Sequence, residues 1–175
     1  SRKMVTYSRE SAATIVRIWD LASGQKEEFT AQPLGVHSMK PLEDGRIIGV
    51  RERTVYDVRS GMALFVLRDI ATNYLNNVIF SADASVIATA KENVTYLWSG
   101  TDGHLIKKIS YEPEGFHPPV DDQIAFSQRG RWLFIVRYGE SKINVYDGKT
   151  GEDADFSFAN TKGNKLATSH DEKDL

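Results

Sequence analysis

Apolar positions along the chain fall on alternate residues in short runs, and each run is closed by turn-forming residues. In the stretch 78–98, Val78 and Phe80, Val86 and Ala88, and Val94, Tyr96 and Trp98 form three such runs. A period of two is the signature of strands that bury one face. The stretches 37–61 and 123–148 repeat the order strand, turn, strand, turn, strand. Their turns fall at Ala82-Asp83, Gln128-Arg129-Gly130 and Glu43-Asp44-Gly45, where Gly and Asp supply the backbone freedom that tight turns need. No segment sustains the 3.6-residue apolar period of a helix, so the pattern predicts an all-β chain with almost no helix.

One unit of this pattern recurs. An apolar alternation ends in an aromatic residue, then a short polar residue, then a Gly turn: Trp19-Asp20, Tyr56-Asp57, Trp98-Ser99 and Tyr146-Asp147. The aromatic anchors are 37, 42 and 48 residues apart. Repeat periods of about 40–45 residues mark WD-type propeller blades, with loops absorbing the scatter.

With the four units aligned, the chain resembles a WD-repeat protein over nearly its whole length. The resemblance implies about four four-stranded antiparallel blades of a β-propeller, in an open or incomplete ring, with strands a to d running from the axis outward. Several departures stand out. Only the first unit has a true Trp-Asp pair, and the Gly-His that opens such repeats is replaced by looser forms at Gly35–His37 and Gly115–His117. The turns before the aromatic-bearing strands contain no Asp, while Thr89 and Trp98 keep the family's places in the third unit. This pattern implies a degenerate propeller held by strand packing more than by a polar network.

The units divide residues 1–175 into a partial first blade over 1–30, a second over 31–70, a third over 71–111, a fourth over 112–155 and the start of a fifth over 156–175. In the first, strands b, c and d are expected at 4–8, 15–20 and 25–30. Strands a of the next three are expected at 36–41, 76–81 and 123–127. The run "KLATSHDE" from Lys165 matches "VIATAKEN" from Val86, which points to strand b of a further unit. The interval after Tyr146 is about one strand too short, so either the fourth blade lacks strand d or residues of the protein are absent from this sequence between Gly151 and Phe156, the second being the expectation. Blades split at both ends are expected to sit against neighbouring blades, from the rest of a longer chain or from a second chain, since open sheet edges invite pairing.

Composition narrows the function. Net charge is −2 with both signs interleaved, which does not suit a nucleic-acid-binding surface. No apolar run approaches the roughly 20 residues that span a bilayer. The chain has no cysteine, so disulfides, thiolate metal sites and a Cys nucleophile are ruled out. This usage suits a reducing compartment, and a cytoplasmic location is expected. Asn93-Val94-Thr95 fits a glycosylation triplet of a kind that often occurs by chance.

Little in the sequence points to catalysis. His37, His104, His117 and His170 show no metal-ligand spacing and do not recur in register. No nucleophile elbow, P-loop or dinucleotide fingerprint occurs. Glu112, Glu114, Asp121 and Asp122 could be read as paired acids or a cation site, but the Pro pair and the loop position they flank favour a solvated connection. Trp19, Tyr56, Trp98 and Tyr146 recur at one strand position, which is a packing signature. The resemblance implies that partners bind where the d-to-a and b-to-c connections gather. There the candidate binding residues are Arg9, Arg51, Arg53, Tyr74, Phe116, His117 and Tyr138, because Arg and aromatic side chains dominate protein interfaces. The expected function is a non-catalytic scaffold or sensor module that binds another protein or peptide, with no cofactor and no metal. The alternative is a propeller enzyme holding a cofactor or metal near its channel, which would need convergent His or carboxylate residues at equivalent blade positions.

Overall fold

The computed structural model describes residues 3–11, 13–69, 75–112, 121–137 and 139–159. All regular secondary structure among them is β-strand, and the strands form four separate antiparallel sheets, none of them closed into a barrel. The chain divides into two compact units, Ser1–Val66 and Leu67–Leu175.

The first unit holds two sheets. One has three strands, β1 (Lys3–Glu10), β2 (Ala13–Asp20) and β3 (Lys26–Thr30), in that order. They occupy the expected places of strands b, c and d. The other has four, β4 (His37–Pro41), β5 (Ile47–Arg51), β6 (Thr54–Asp57) and β7 (Ala63–Val66). Alternation places Val5, Val16, Ile18 and Phe29 on one face of the first sheet, where they pack with Val36, Ile47, Val58 and Tyr56.

The second unit holds β8 (Asn76–Phe80), β9 (Val86–Lys91), β10 (Val94–Ser99) and β11 (Leu105–Ser110) in one sheet. Its other sheet is β12 (Gln123–Phe126), β13 (Trp132–Val136), β14 (Lys142–Asp147) and β15 (Asp153–Ala159). Val86, Ala88, Leu97 and Ile109 of the former pack against Phe126, Leu133, Ile135 and Tyr146 of the latter. Each sheet is a meander in chain order, as blade-like sheets built from successive hairpins must be.

The end of the fourth sheet corrects the sequence reading. Its strand d is present: β15 pairs with β14, Ile143 opposite Phe158 and Asn144 opposite Ser157. Phe156–Ala159 therefore completes the fourth blade and does not open a fifth. The turn before it is the one found in the other three sheets, closed from Asp147 N–H to the Glu152 carbonyl at 2.8 Å with β15 beginning at Asp153 directly after it, so the apparent shortfall came from assigning Phe156–Ala159 to the opening strand of a next unit. The proposed b strand of a further unit, including His170, lies outside the described residues.

The recurring aromatic-Asp-Gly signature has one structural cause. At every c-to-d turn the first residue and the one five places on are joined by a backbone bond, Asp20 to Gln25, Asp57 to Met62, Ser99 to His104 and Asp147 to Glu152. The Gly four places after the first residue (Gly24, Gly61, Gly103 and Gly151) has a φ of +70°, +75°, +73° and +71°, a left-handed backbone that favours glycine. Oδ1 of Asp57 accepts from Arg59 N, Ser60 N and Ser60 Oγ, and Oδ1 of Asp147 accepts from Lys149 N, Thr150 N and Thr150 Oγ1. Burial works to raise both carboxyls, but these donors outweigh it and hold them below the usual range.

Candidate functional site

In the first unit, topology brings all three candidate arginines to one end. The segment 31–36 leaves β3 beside the start of β2 and enters β4 beside the end of β5. It is pinned there by Ala31 N–H to Thr14 O at 2.8 Å and by Thr14 Oγ1 to Val36 O at 3.2 Å. The β1–β2 and β5–β6 turns therefore share an end. Arg9 lies in β1 opposite Thr14, Arg51 ends β5, and Arg53 lies in the turn that follows. Arg9 and Arg51 are exposed and Arg53 is half-buried. Those turns are tight hairpins, with Ser11 and Glu52 at positive φ, so the arginines sit on short, stiff connections. His37 begins β4 at the same end. Its Nδ1 lies 3.0 Å from Ser38 Oγ, and burial pushes its pKa down.

The corresponding end of the second unit is polar and buried. Asp122, directly before β12, is 2% exposed. Its Oδ2 accepts from Thr95 Oγ1 at 3.3 Å, its carbonyl accepts from Asn77 Nδ2 at 3.1 Å, and its Oδ1 has no hydrogen-bond partner. Desolvation pushes its carboxyl up to about 6, against the Arg137 charge and the Thr95 hydroxyl, which pull it down. Arg137, directly after β13, is 8% exposed. It donates from Nη2 to Tyr146 Oη at 2.8 Å and lies 4.8 Å from the Tyr111 ring centre, and its Nη1 is 3.8 Å from Glu140 Oε1. Glu140 Oε2 accepts from Asn144 Nδ2 at 2.7 Å. The solvated connection expected at Asp121–Asp122 is thus corrected. Asp122 is enclosed because Thr95 and Asn77 of the preceding sheet draw it in, while Asp121 Oδ1 accepts Glu92 N–H at 3.1 Å. Nothing in the local sequence separates Asp122 from Asp121, and Arg137 carried no signal at all.

Of the remaining candidates, Tyr74, Phe116, His117 and Tyr138 lie outside the described residues. The repeat aromatics divide. Trp98 is fully buried and Tyr146 nearly so, while Trp19 and Tyr56 are half-buried. Trp98 Nε1 donates to the Arg68 carbonyl at 3.0 Å, and Thr89 Oγ1 is buried without a partner. The Thr-Trp arrangement that the resemblance implies is therefore not hydrogen-bonded here. His104 Nδ1 lies 2.7 Å from Asp102 Oδ1 at an exposed turn.

No protein-family model matches the chain, and no curated protein matches it in sequence. Among the described residues, no group of three or more His, Cys, Asp or Glu side chains could hold a metal ion. No helix among them is long and apolar enough to cross a membrane.

Proposed function

We propose that the chain is a non-catalytic interaction module of WD-type repeats that binds an acidic segment of another protein, in the cytoplasm. The observation that carries this reading is the gathering of Arg9, Arg51 and Arg53 at one end of the first unit, with Arg9 and Arg51 exposed on stiff hairpin ends. A guanidinium held on a rigid turn loses little freedom on pairing with a carboxylate, and its fork geometry favours bidentate contacts. The recurring Asp and Ser/Thr side chains support the same reading, since turn closure occupies them.

The test is a fluorescence-anisotropy titration of the 175-residue chain with Glu-rich, neutral and Lys-rich peptides. Saturable binding of the Glu-rich peptide alone is expected, weakening with added salt. The Arg9→Glu, Arg51→Glu double variant should lose at least about tenfold in affinity, as interface arginines that dominate binding do. An affinity unchanged by that double reversal, or equal binding of all three peptides, overturns the reading.

A further inference from the structure

The outer strands of the four sheets are not alike. β3 reads KEEFT and carries three charges, β7 has four residues, and β11 carries Lys107 and Lys108. Charge and shortness are how natural sheets keep their edges from pairing. β15 has seven residues, the most of the four, and none of its last four, Phe156-Ser157-Phe158-Ala159, is charged. Among the described residues its sole strand partner is β14, and Phe156 and Phe158 are 41% and 38% exposed.

These two rings are held in place. They meet edge-to-face at 5.7 Å, Phe156 lies edge-on to Trp132 at 5.4 Å, and Phe158 is 6.5 Å from Phe134. Asp155, at a φ of +59°, lies where the register shifts between Asp153 opposite Tyr146 and Ser157 opposite Asn144, and Ser157–Ala159 beyond it pair regularly with β14, set off from the acidic residues before the shift. The result is a pre-ordered apolar edge that, among the described residues, no further strand covers.

The segment is also self-complementary. In an antiparallel pairing of two copies centred on Ser157, each Phe156 faces the other copy's Phe158, and the two Ser157 residues face each other. Each Asp155 faces Ala159. Centring on residue 154 or 155 would set Asp against Asp, and parallel in-register pairing would do the same. The Ser157-centred register alone combines two Phe–Phe pairs with complete separation of the acids, and cross-strand aromatic pairs favour association while opposed like charges resist it.

We propose that two copies of this chain associate through their β15 edges, antiparallel about Ser157, joining their fourth sheets into one continuous sheet. The interface is isologous, so it closes at two copies. Its small area makes it a weak, concentration-dependent dimer of the kind formed by interfaces under about 1,200 Å². This contact uses no residue of the arginine end and does not rest on the binding reading.

Sedimentation equilibrium of the 175-residue chain tests this, over the micromolar range typical of weak contacts. A reversible monomer–dimer equilibrium is expected. Ser157 is exposed, so Ser157→Asp and Ser157→Lys each place like charges opposite one another without disturbing the monomer. Each should weaken self-association at least about tenfold, with far-UV circular dichroism unchanged. Mixing the two variants should restore dimers, because Asp then faces Lys. A chain monomeric at all concentrations, a dimer indifferent to Ser157→Asp, or a mixture that fails to re-form dimers overturns the proposal.

Discussion

Trp98→Ala offers the most direct measure of what holds the second unit together. The indole is fully buried, stacks on Tyr96 with ring centres 5.4 Å apart, and satisfies its N–H on the Arg68 carbonyl at 3.0 Å. Truncation to Ala removes the ring's burial and leaves a cavity that flanking strands fill only in part, a cost of about 3–5 kcal/mol for a buried aromatic. With a urea m-value of about 2 kcal/mol/M, the unfolding midpoint should fall by about 2 M. Trp98→Phe, which keeps a ring but leaves the Arg68 carbonyl without its donor, should cost about 1–2 kcal/mol. Trp19 holds the same repeat position but is half-buried, with Nε1 donating to Thr6 Oγ1 at 3.1 Å. Trp19→Ala should therefore cost clearly less than Trp98→Ala. Urea melts followed by far-UV circular dichroism at fixed protein concentration measure all three. A Trp98→Ala loss below about 1 kcal/mol, the range of ordinary surface changes, or a larger loss for Trp19→Ala would refute the argument from burial.

Two further outcomes follow from single sites. The Asp122 carboxyl, raised to about 6, keeps its proton in the folded state where the unfolded chain has lost it, so it makes stability fall as pH rises from about 4 to about 6 and level off above. The shift is worth about 3 kcal/mol. His37, with its lowered pKa, slopes the other way as pH falls below 6.5. The test is therefore the difference between parent and Asp122→Asn, whose urea-derived stabilities should converge near pH 4 and separate in favour of Asn by pH 7; a constant difference would refute it. Gly148→Ala should lower Tm by about 5–15 °C, since the new methyl would collide with the Gly130 carbonyl while Gly148 N–H is held 2.7 Å from the Arg131 carbonyl. Lys149→Ala next to it is exposed and should leave Tm within about 2 °C; equal Tm values for the two variants would refute the steric argument.

The strands were legible because their signal is local. A half-buried strand alternates whatever it packs against, and β10 and β14 stand where Val94 and Ile143 alternate with their neighbours, while β9 and β13 are short apolar runs buried on both faces and bounded by turns. The repeat of aromatic, Asp and Gly was legible for the same reason, although its role lies in closing the turn as much as in packing the ring. The last strand was misassigned because the apolar alternation of Phe156 and Phe158 looks the same in a closing strand of one sheet as in an opening strand of the next; only the pairing of β15 with β14 decides between them. The buried Asp122 and Arg137 were not legible. Their enclosure depends on Thr95, Asn77, Tyr111 and Tyr146, between 9 and 45 positions away in sequence. The arginine end was half legible: residue type suggested Arg9, Arg51 and Arg53, and the path of 31–36 brought them together.

The shared design of the c-to-d turns bears on the order in which the molecule assembles. Every bond that closes them links residues no more than five apart, so the chain loses little entropy in making them. Hairpins of this kind form in about 1–10 μs. The contacts that join the third and fourth sheets are different: Thr95 reaches Asp122 across 27 residues and Asn77 reaches it across 45. They can form only after the hairpins they connect. The four turns are therefore expected to be starting points for folding, with the Asp122 contacts expected at a later step. A lesion at Asp57 or Asp147 is expected to slow folding and one at Asp122 chiefly to change the unfolding rate, a contrast that stopped-flow folding and unfolding rates measure.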